Sequence, residues 1–222
     1  MITSPYHGPS STSTLSFGNR SIAIVRPTEP DRLLNDPAVL ALNQQCDYMP
    51  YWAYLWPGAY LLAEAVSRHP WNHGTRALEI GCGIGLAGLV GVASGLSVTF
   101  TDYDATPLEF VSQSCSANGF STSSFSTQLL DWNDLPKDRY PVILGADVLY
   151  EKRLVPLVCD LIRTMLEPGG TAWVAGPYRV ATESLDGVMS SRGLISQSET
   201  ISTVVPSLGR VEGTLHRIRH QS

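Results

Sequence analysis

The chain lacks any run of about 20 apolar residues, the length that a membrane-spanning helix needs. Proline, glycine or charge interrupts every hydrophobic stretch. It also lacks a basic block. Lys and Arg together number 15 against 20 Asp and Glu, a formal net charge of −5, so nucleic acid and anionic lipid have little to hold. Cysteine is scarce. Cys46, Cys82, Cys115 and Cys159 stand far apart with no C-x-x-C, which argues against a zinc site or a disulfide framework and suits thiols in a reducing, cytoplasmic compartment. No charged segment followed by an apolar one opens the sequence, so no secretory leader is expected. The five histidines have no metal-ligand spacing. G-x-S-x-G, H-E-x-x-H and P-loop patterns are missing, which leaves hydrolase and kinase chemistry without a nucleophile, metal or phosphate cradle.

What is present is one domain's worth of core: 222 residues, 43% hydrophobic. Residues 1–14, rich in Ser and Thr, read as a disordered tail. Leu15 to Val25 alternates around Gly18-Asn19, a short hairpin. Asp36-Pro37 reads as a helix start, Asp at the cap and Pro at the first helical position. An aromatic run (Tyr48, Tyr51, Trp52, Tyr54, Trp56) precedes Pro57-Gly58 and a helical pattern from Ala59 to Val66. Residues 15–70 are expected to form a small cap packed on the domain that follows, 71–222. There the texture becomes strand and helix in alternation. Strands are predicted at Ala77–Ile80, Leu96–Phe100, Phe125–Leu130, Val142–Leu144 and Thr171–Ala175, and late ones at Leu194–Val205 and Val211–Ile218. Helices are predicted at Leu86–Ala93, Leu108–Ala117, a stripe from Leu154 to Met165, and Ser184–Ser191. Strands separated by helices imply an α/β fold, a parallel sheet with helices on both faces.

In such a sheet, ligands bind beyond the carboxyl ends of the strands. Those ends read Glu79-Ile80-Gly81-Cys82-Gly83, Asp102, Asp131-Trp132 and Ala146-Asp147. Water accounts for any one of these carboxylates alone. Together they describe an acidic edge, suited to a ligand rich in donors or carrying positive charge. The dinucleotide pattern G-x-G-x-x-G fails from Gly81, where Leu86 takes the sixth place, and matches from Gly83 only past the expected strand end. Gly81 and Gly83 let backbone approach a small molecule closely. Glu79 beside them suits an ammonium group better than a pyrophosphate. Asp102 suits a ribose diol. Asp131 and Trp132 suit the amine and the face of a purine.

The stretch Ala77–Leu86 (A-L-E-I-G-C-G-I-G-L) resembles motif I of the class I, seven-strand S-adenosylmethionine-dependent methyltransferases, and most of all methyltransferase family 16, a group that includes protein-lysine methyltransferases. Trp56-Pro57-Gly58-Ala59, Thr101-Asp102, Trp132 and Asp147-Val148-Leu149-Tyr150 follow that group's pattern in order and spacing. The resemblance spans Tyr48 to Gly170. It implies a Rossmann-like, seven-stranded, mostly parallel sheet and a cofactor site lined by Trp56, Gly81, Cys82, Gly83, Asp102, Trp132 and Ala146, with Glu79 toward the methionine end and Asp131 toward the adenine.

The reaction then expected is in-line transfer of a sulfonium methyl to a neutral nitrogen, on a protein lysine or on a small-molecule amine resembling nicotinamide. Deprotonating a free lysine at pH 7 costs about 4–5 kcal/mol, which desolvation at an aromatic entrance reduces. Tyr51, Trp52, Tyr54 and Trp56 are candidates for its walls, through cation–π contact. Asp147 and Tyr150 are the candidate catalytic pair, Asp147 orienting the amine or taking its proton through water. A monomer without metal, nucleic acid or membrane is expected. A nicotinamide-dinucleotide oxidoreductase and a non-catalytic nucleotide-binding module are the readings from other classes.

Overall fold

The computed structural model describes residues 6–177 and 185–221. Strands β1 (Ser10–Phe17) and β2 (Arg20–Pro27) form an antiparallel hairpin turned at Gly18-Asn19. So β1 starts inside the stretch read as a disordered tail. Residues 10–14 are paired one for one with residues 23–27 of β2, and strand pairing supplies an order that Ser and Thr do not announce by hydrophobicity. Of the rest of that reading, residues 6–9 form neither strand nor helix, and residues 1–5 lie outside the described residues, as does Ser184 of the predicted late helix.

Helix α1 (Pro37–Cys46) starts where the sequence places it. The Asp36 carboxylate accepts the amide N–H groups of Ala38 and Val39. Helix α2 (Pro57–Arg68) follows the aromatic run. Five parallel strands come next: β3 (Arg76–Ile80), β4 (Ser97–Asp102), β5 (Phe125–Leu129), β6 (Tyr140–Ala146) and β7 (Leu166–Gly176). They alternate with α3 (Leu86–Ala93), α4 (Ala105–Ala117) and α5 (Leu154–Met165). After α6 (Leu185–Ser190), β8 (Leu194–Val205) and β9 (Gly209–His220) close the sheet as a long antiparallel hairpin. The order is β5-β4-β3-β6-β7-β9-β8, with β9 antiparallel to both neighbours. The direction of winding reverses between β3 and β6, which opens a crevice at their carboxyl ends.

Period-two alternation divides the strand residues between two apolar layers. Ala77, Val142, Leu144, Trp173 and Ala175 face α2, α3, α4 and the β1–β2 hairpin. Leu78, Ile80, Ile143, Ala172 and Val174 face α5 and α6. Residues of the 15–70 segment pack into the core of the sheet. Leu61, Leu62, Ala63 and Val66 of α2 sit at the centre of the first layer, with Phe17 and Ile22 of the hairpin in the same apolar cluster. Helix α2 is a layer helix of the sheet. Among the described residues, no helix is long and apolar enough to cross a membrane, and no cluster of His, Cys, Asp and Glu could hold a metal ion.

Candidate active site

The crevice is built around a bend of five residues. Strand β3 ends at Ile80, and Gly81, Gly83 and Gly85 all take positive φ before α3 begins. A Cβ on Gly81 would stand 3.1 Å from the Trp132 indole, and one on Gly83 would stand 3.3 Å from the Trp52 carbonyl oxygen. Left-handed backbone and close neighbours together leave glycine as the residue that fits. The bend is pinned from β4. Cys82 N–H donates to the Thr101 carbonyl at 2.9 Å. Gly83 N–H donates to Asp102 Oδ2 at 2.9 Å.

Asp102 sits almost fully buried at the end of β4, and its other oxygen accepts the Asp104 N–H at 3.2 Å. Burial raises its pKa to about 6, against the pull of the Gly83 and Asp104 hydrogen bonds. Glu79 is 1% exposed. It points beneath the bend toward the first turn of α3, where Gly88 donates a backbone hydrogen bond to it; a Cβ on Gly88 would overlap Glu79 Oε2. That Oε2 is buried without a hydrogen-bond partner. Burial pushes Glu79 up to about 8, with the nearby Asp102 adding to the rise. Cys82 is half-buried on the bend, its thiol raised by burial and then by Asp102 and Glu79.

From β5, Asp131 is exposed and its Oδ1 accepts both the backbone and the side-chain N–H of Asn133 at 2.8 Å, which lowers its pKa. Trp132 lies half-buried over Gly81. From β6, Ala146 is half-buried, and Asp147 follows at φ 55, its N–H on the Ala175 carbonyl at 2.8 Å.

Above this edge stands a ring of aromatics. Tyr51, Trp56, Tyr103 and Tyr150 are exposed at 40%, 38%, 45% and 39%. Ring centroids lie 5.9 Å apart for Tyr51 and Trp56, 5.6 Å for Tyr51 and Tyr150, and 5.9 Å for Tyr54 and Trp56. Trp56 Nε1–H donates to the Tyr51 carbonyl at 2.9 Å. Burial, then Glu151 and Tyr51, push the Tyr150 phenol up to about 12, so it stays a neutral donor at physiological pH. Two clefts of about 320 Å³ lie elsewhere, one between β1, α2 and β8 and one between residues 6–10 and α4, and neither borders the bend.

A glycine bend between buried and exposed carboxylates, roofed by aromatic rings, fits a cationic ligand with a flat base. The model of the lysine methyltransferase family matches residues 39–184, more than half of the chain.

The chain belongs to that family. It is 28% identical over 202 residues to the electron transfer flavoprotein beta subunit lysine methyltransferase of Xenopus laevis, covering 83% of this chain and 80% of that protein. It is 32% identical over 121 residues to the protein N-lysine methyltransferase METTL21A of Xenopus tropicalis, covering 51% and 54%. Among solved structures, a SAM-dependent methyltransferase of Methanosarcina mazei superposes with a TM-score of 0.57 at 10% identity, over 68% of this chain and 95% of that one. At that identity the likeness is one of fold.

The residues singled out from sequence fall at one edge of the sheet, with two adjustments. Trp52, considered as an entrance wall, is 6% exposed and packs on Phe110 in the core; what it offers the site is its backbone, against Gly83. Glu79 reaches the bend from beneath. Three participants had no role assigned from sequence. Tyr103 stands exposed directly after Asp102, its ring 5.8 Å from that of Tyr48. Tyr48 donates its hydroxyl to the buried carboxylate of Asp104, which also caps α4 through Thr106 N–H at 2.8 Å. Gly58, read as part of the Trp56-Pro57-Gly58-Ala59 segment and given no role of its own, donates its N–H to Asp147. The T-D-Y-D sequence at the end of β4 is the local clue to the first two.

Proposed function

We propose that this protein is an S-adenosylmethionine-dependent N-methyltransferase acting on a lysine side chain of a protein substrate. The observation that carries the reading is the bare glycine bend at Gly81–Gly83, tied to Asp102 and overlooked by exposed aromatic rings. The donor set fits this cofactor. Gly81, Cys82, Gly83 and Ala146 would offer a floor of backbone and small side chains. A carboxylate has about four acceptor positions, so Asp102, with three taken by the backbone of Gly83, Tyr103 and Asp104, keeps one for a ribose hydroxyl, and Asp131 keeps capacity for an exocyclic amine. Trp132 and Trp56 would flank the base and the methyl-bearing end. The buried Glu79 carboxyl lies behind the bend, its Oε2 without a hydrogen-bond partner.

When bound, the cofactor supplies a methyl group already activated on a sulfonium, so the chain's own tasks are alignment, exclusion of water and removal of the acceptor's proton. Tyr51, Trp56, Tyr103 and Tyr150 can hold an ammonium by cation–π contact. The same rings strip its water, which lowers its pKa toward neutrality. Once the ammonium's proton has passed to solvent water, the Tyr150 hydroxyl oxygen can accept an N–H of the neutral amine and leave its lone pair free for the methyl. Asp147 stands at the same strand end, beside the ring.

Titration calorimetry tests the cofactor: S-adenosylhomocysteine binds and NAD does not. The reverse result ends the reading. Incubation with a tritiated methyl donor and host lysate tests the acceptor. Label on a discrete protein band, released as methylated lysine on hydrolysis, supports the proposal, and label confined to small metabolites makes the acceptor a free amine.

A further inference from the structure

Helix α2 begins with no local means of capping itself. Trp56 at the cap position has no acceptor in its side chain, and Pro57 has no N–H to satisfy. Gly58 therefore carries the first amide of the helix that needs a partner, and it donates to Asp147 Oδ2 at 2.5 Å, 89 residues further along the chain. The contact dictates its own residues. A Cβ at position 58 would overlap Asp147 Oδ2 and stand 2.9 Å from the Ala175 carbonyl oxygen. Asp147 in turn is held at φ 55, a region few non-glycine residues occupy, by its N–H on Ala175. A carboxylate at a helix N-terminus also meets the positive end of the helix dipole.

The consequence reaches the aromatic ring. Trp56 is the residue from which α2 springs; it contacts Tyr51, Tyr51 contacts Tyr150, and Tyr150 lies three residues beyond Asp147. The circuit closes on the carboxylate. We propose that Asp147 is a positioning residue: through Gly58 it fixes the start of α2, and with it Trp56 and the aromatic mouth that receives the acceptor, and it is not the base that takes the acceptor's proton. This rests on the methyl-transfer reading above.

The test compares Asp147→Asn, Asp147→Ala, Gly58→Ala and the double alanine variant in the full chain. Asn keeps an oxygen that Gly58 can reach, so Asp147→Asn recovers most of what Asp147→Ala loses, and its pH–rate profile keeps the wild-type acidic limb. Asp147→Ala and Gly58→Ala each raise KM for the protein acceptor about tenfold or more through misplacement of the mouth. The double variant is no worse than either alone, because both cut one interaction. Amide exchange around Trp56 and Gly58 accelerates in both alanine variants and stays slow in Asp147→Asn. A base role gives a different pattern: Asp147→Asn as damaged as Asp147→Ala, by about 10²–10⁴ in kcat, with the acidic limb of the pH–rate profile lost. That pattern overturns the proposal, and so does unchanged exchange in Asp147→Ala, whether or not methyl transfer is ever observed. Failure of the wild type to bind S-adenosylhomocysteine, with the exchange pattern intact, counts against the methyl-transfer reading alone.

Discussion

Two carboxylates beneath the glycine bend titrate near neutrality, Glu79 at about 8 and Asp102 at about 6. Unfolded, they titrate near 4.3 and 3.9. The folded chain therefore holds more protons than the unfolded one across that interval, and stability falls as pH rises through it, levelling off above the folded values. His69 and His216, both pushed down chiefly by burial, act in the opposite sense below about pH 6.5. The Glu79 contribution is thus best isolated above pH 7. Thermal unfolding followed by circular dichroism should show the melting temperature dropping from pH 7 to 8.5, and Glu79→Gln should flatten that drop; an identical slope in the variant would leave Glu79 with an ordinary carboxylate's behaviour. A second residue-scale expectation concerns Gly83. Alanine there meets both a φ of 51 and the Trp52 carbonyl oxygen, costing about 1–2 kcal/mol of stability, and it should weaken S-adenosylhomocysteine roughly tenfold by calorimetry, about 1.4 kcal/mol. Unchanged affinity would remove Gly83 from the site.

At the scale of elements, the β1–β2 hairpin is held to the domain by a side chain acting as a strand. Asn118, at the end of α4, accepts the Ala23 N–H at 2.8 Å and donates to the Ala23 carbonyl at 2.6 Å. Ser114, one turn earlier, accepts the Val25 N–H at 2.9 Å. Asn118→Ala leaves two half-buried backbone groups of β2 without partners, a loss of about 1–3 kcal/mol. Hydrogen exchange should quicken in β1 and β2 while β3, β4 and β6 stay protected, and uniform acceleration would mean that the hairpin and sheet open together. Elements with local signals were legible in the sequence. Helix α3 runs from Leu86 to Ala93 as its apolar spacing predicts, and Asp36-Pro37 marks the start of α1. What was hidden depends on distant chain. Pairing with β2 makes a strand of residues 10–14. Glu167-Pro168-Gly169-Gly170 has the composition of a turn, yet it lies inside β7, where the pairing register with β6 shifts between Tyr140 and Val142. The acidic strand ends could be read one by one because each follows its own strand. The contact of Gly58 with Asp147 and the burial of Trp52 could not, since each depends on which elements the fold sets side by side.

For the molecule as a whole, the first apolar layer joins Phe17 of the hairpin, Leu62 of α2, Leu89 of α3 and Leu215 of β9 in one cluster. Nothing in that layer divides a cap from a catalytic domain. Urea unfolding followed by tryptophan fluorescence and by far-ultraviolet circular dichroism should give coincident transitions, and Leu62→Ala, at a fully buried position, should shift both by about 2–5 kcal/mol. Separated transitions would show two cooperative units. The docking of the hairpin has a further effect on how copies of the chain meet. Asn118 already occupies hydrogen-bonding positions on the inner margin of β2, where a foreign strand could otherwise register. Among the described residues no strand pairs with the outer margin of β1, and six of its eight residues, Ser10 to Thr14 and Ser16, carry hydroxyls. Such a border stays wet and offers almost no greasy side chains for dry interdigitation, so fibril growth finds no template there.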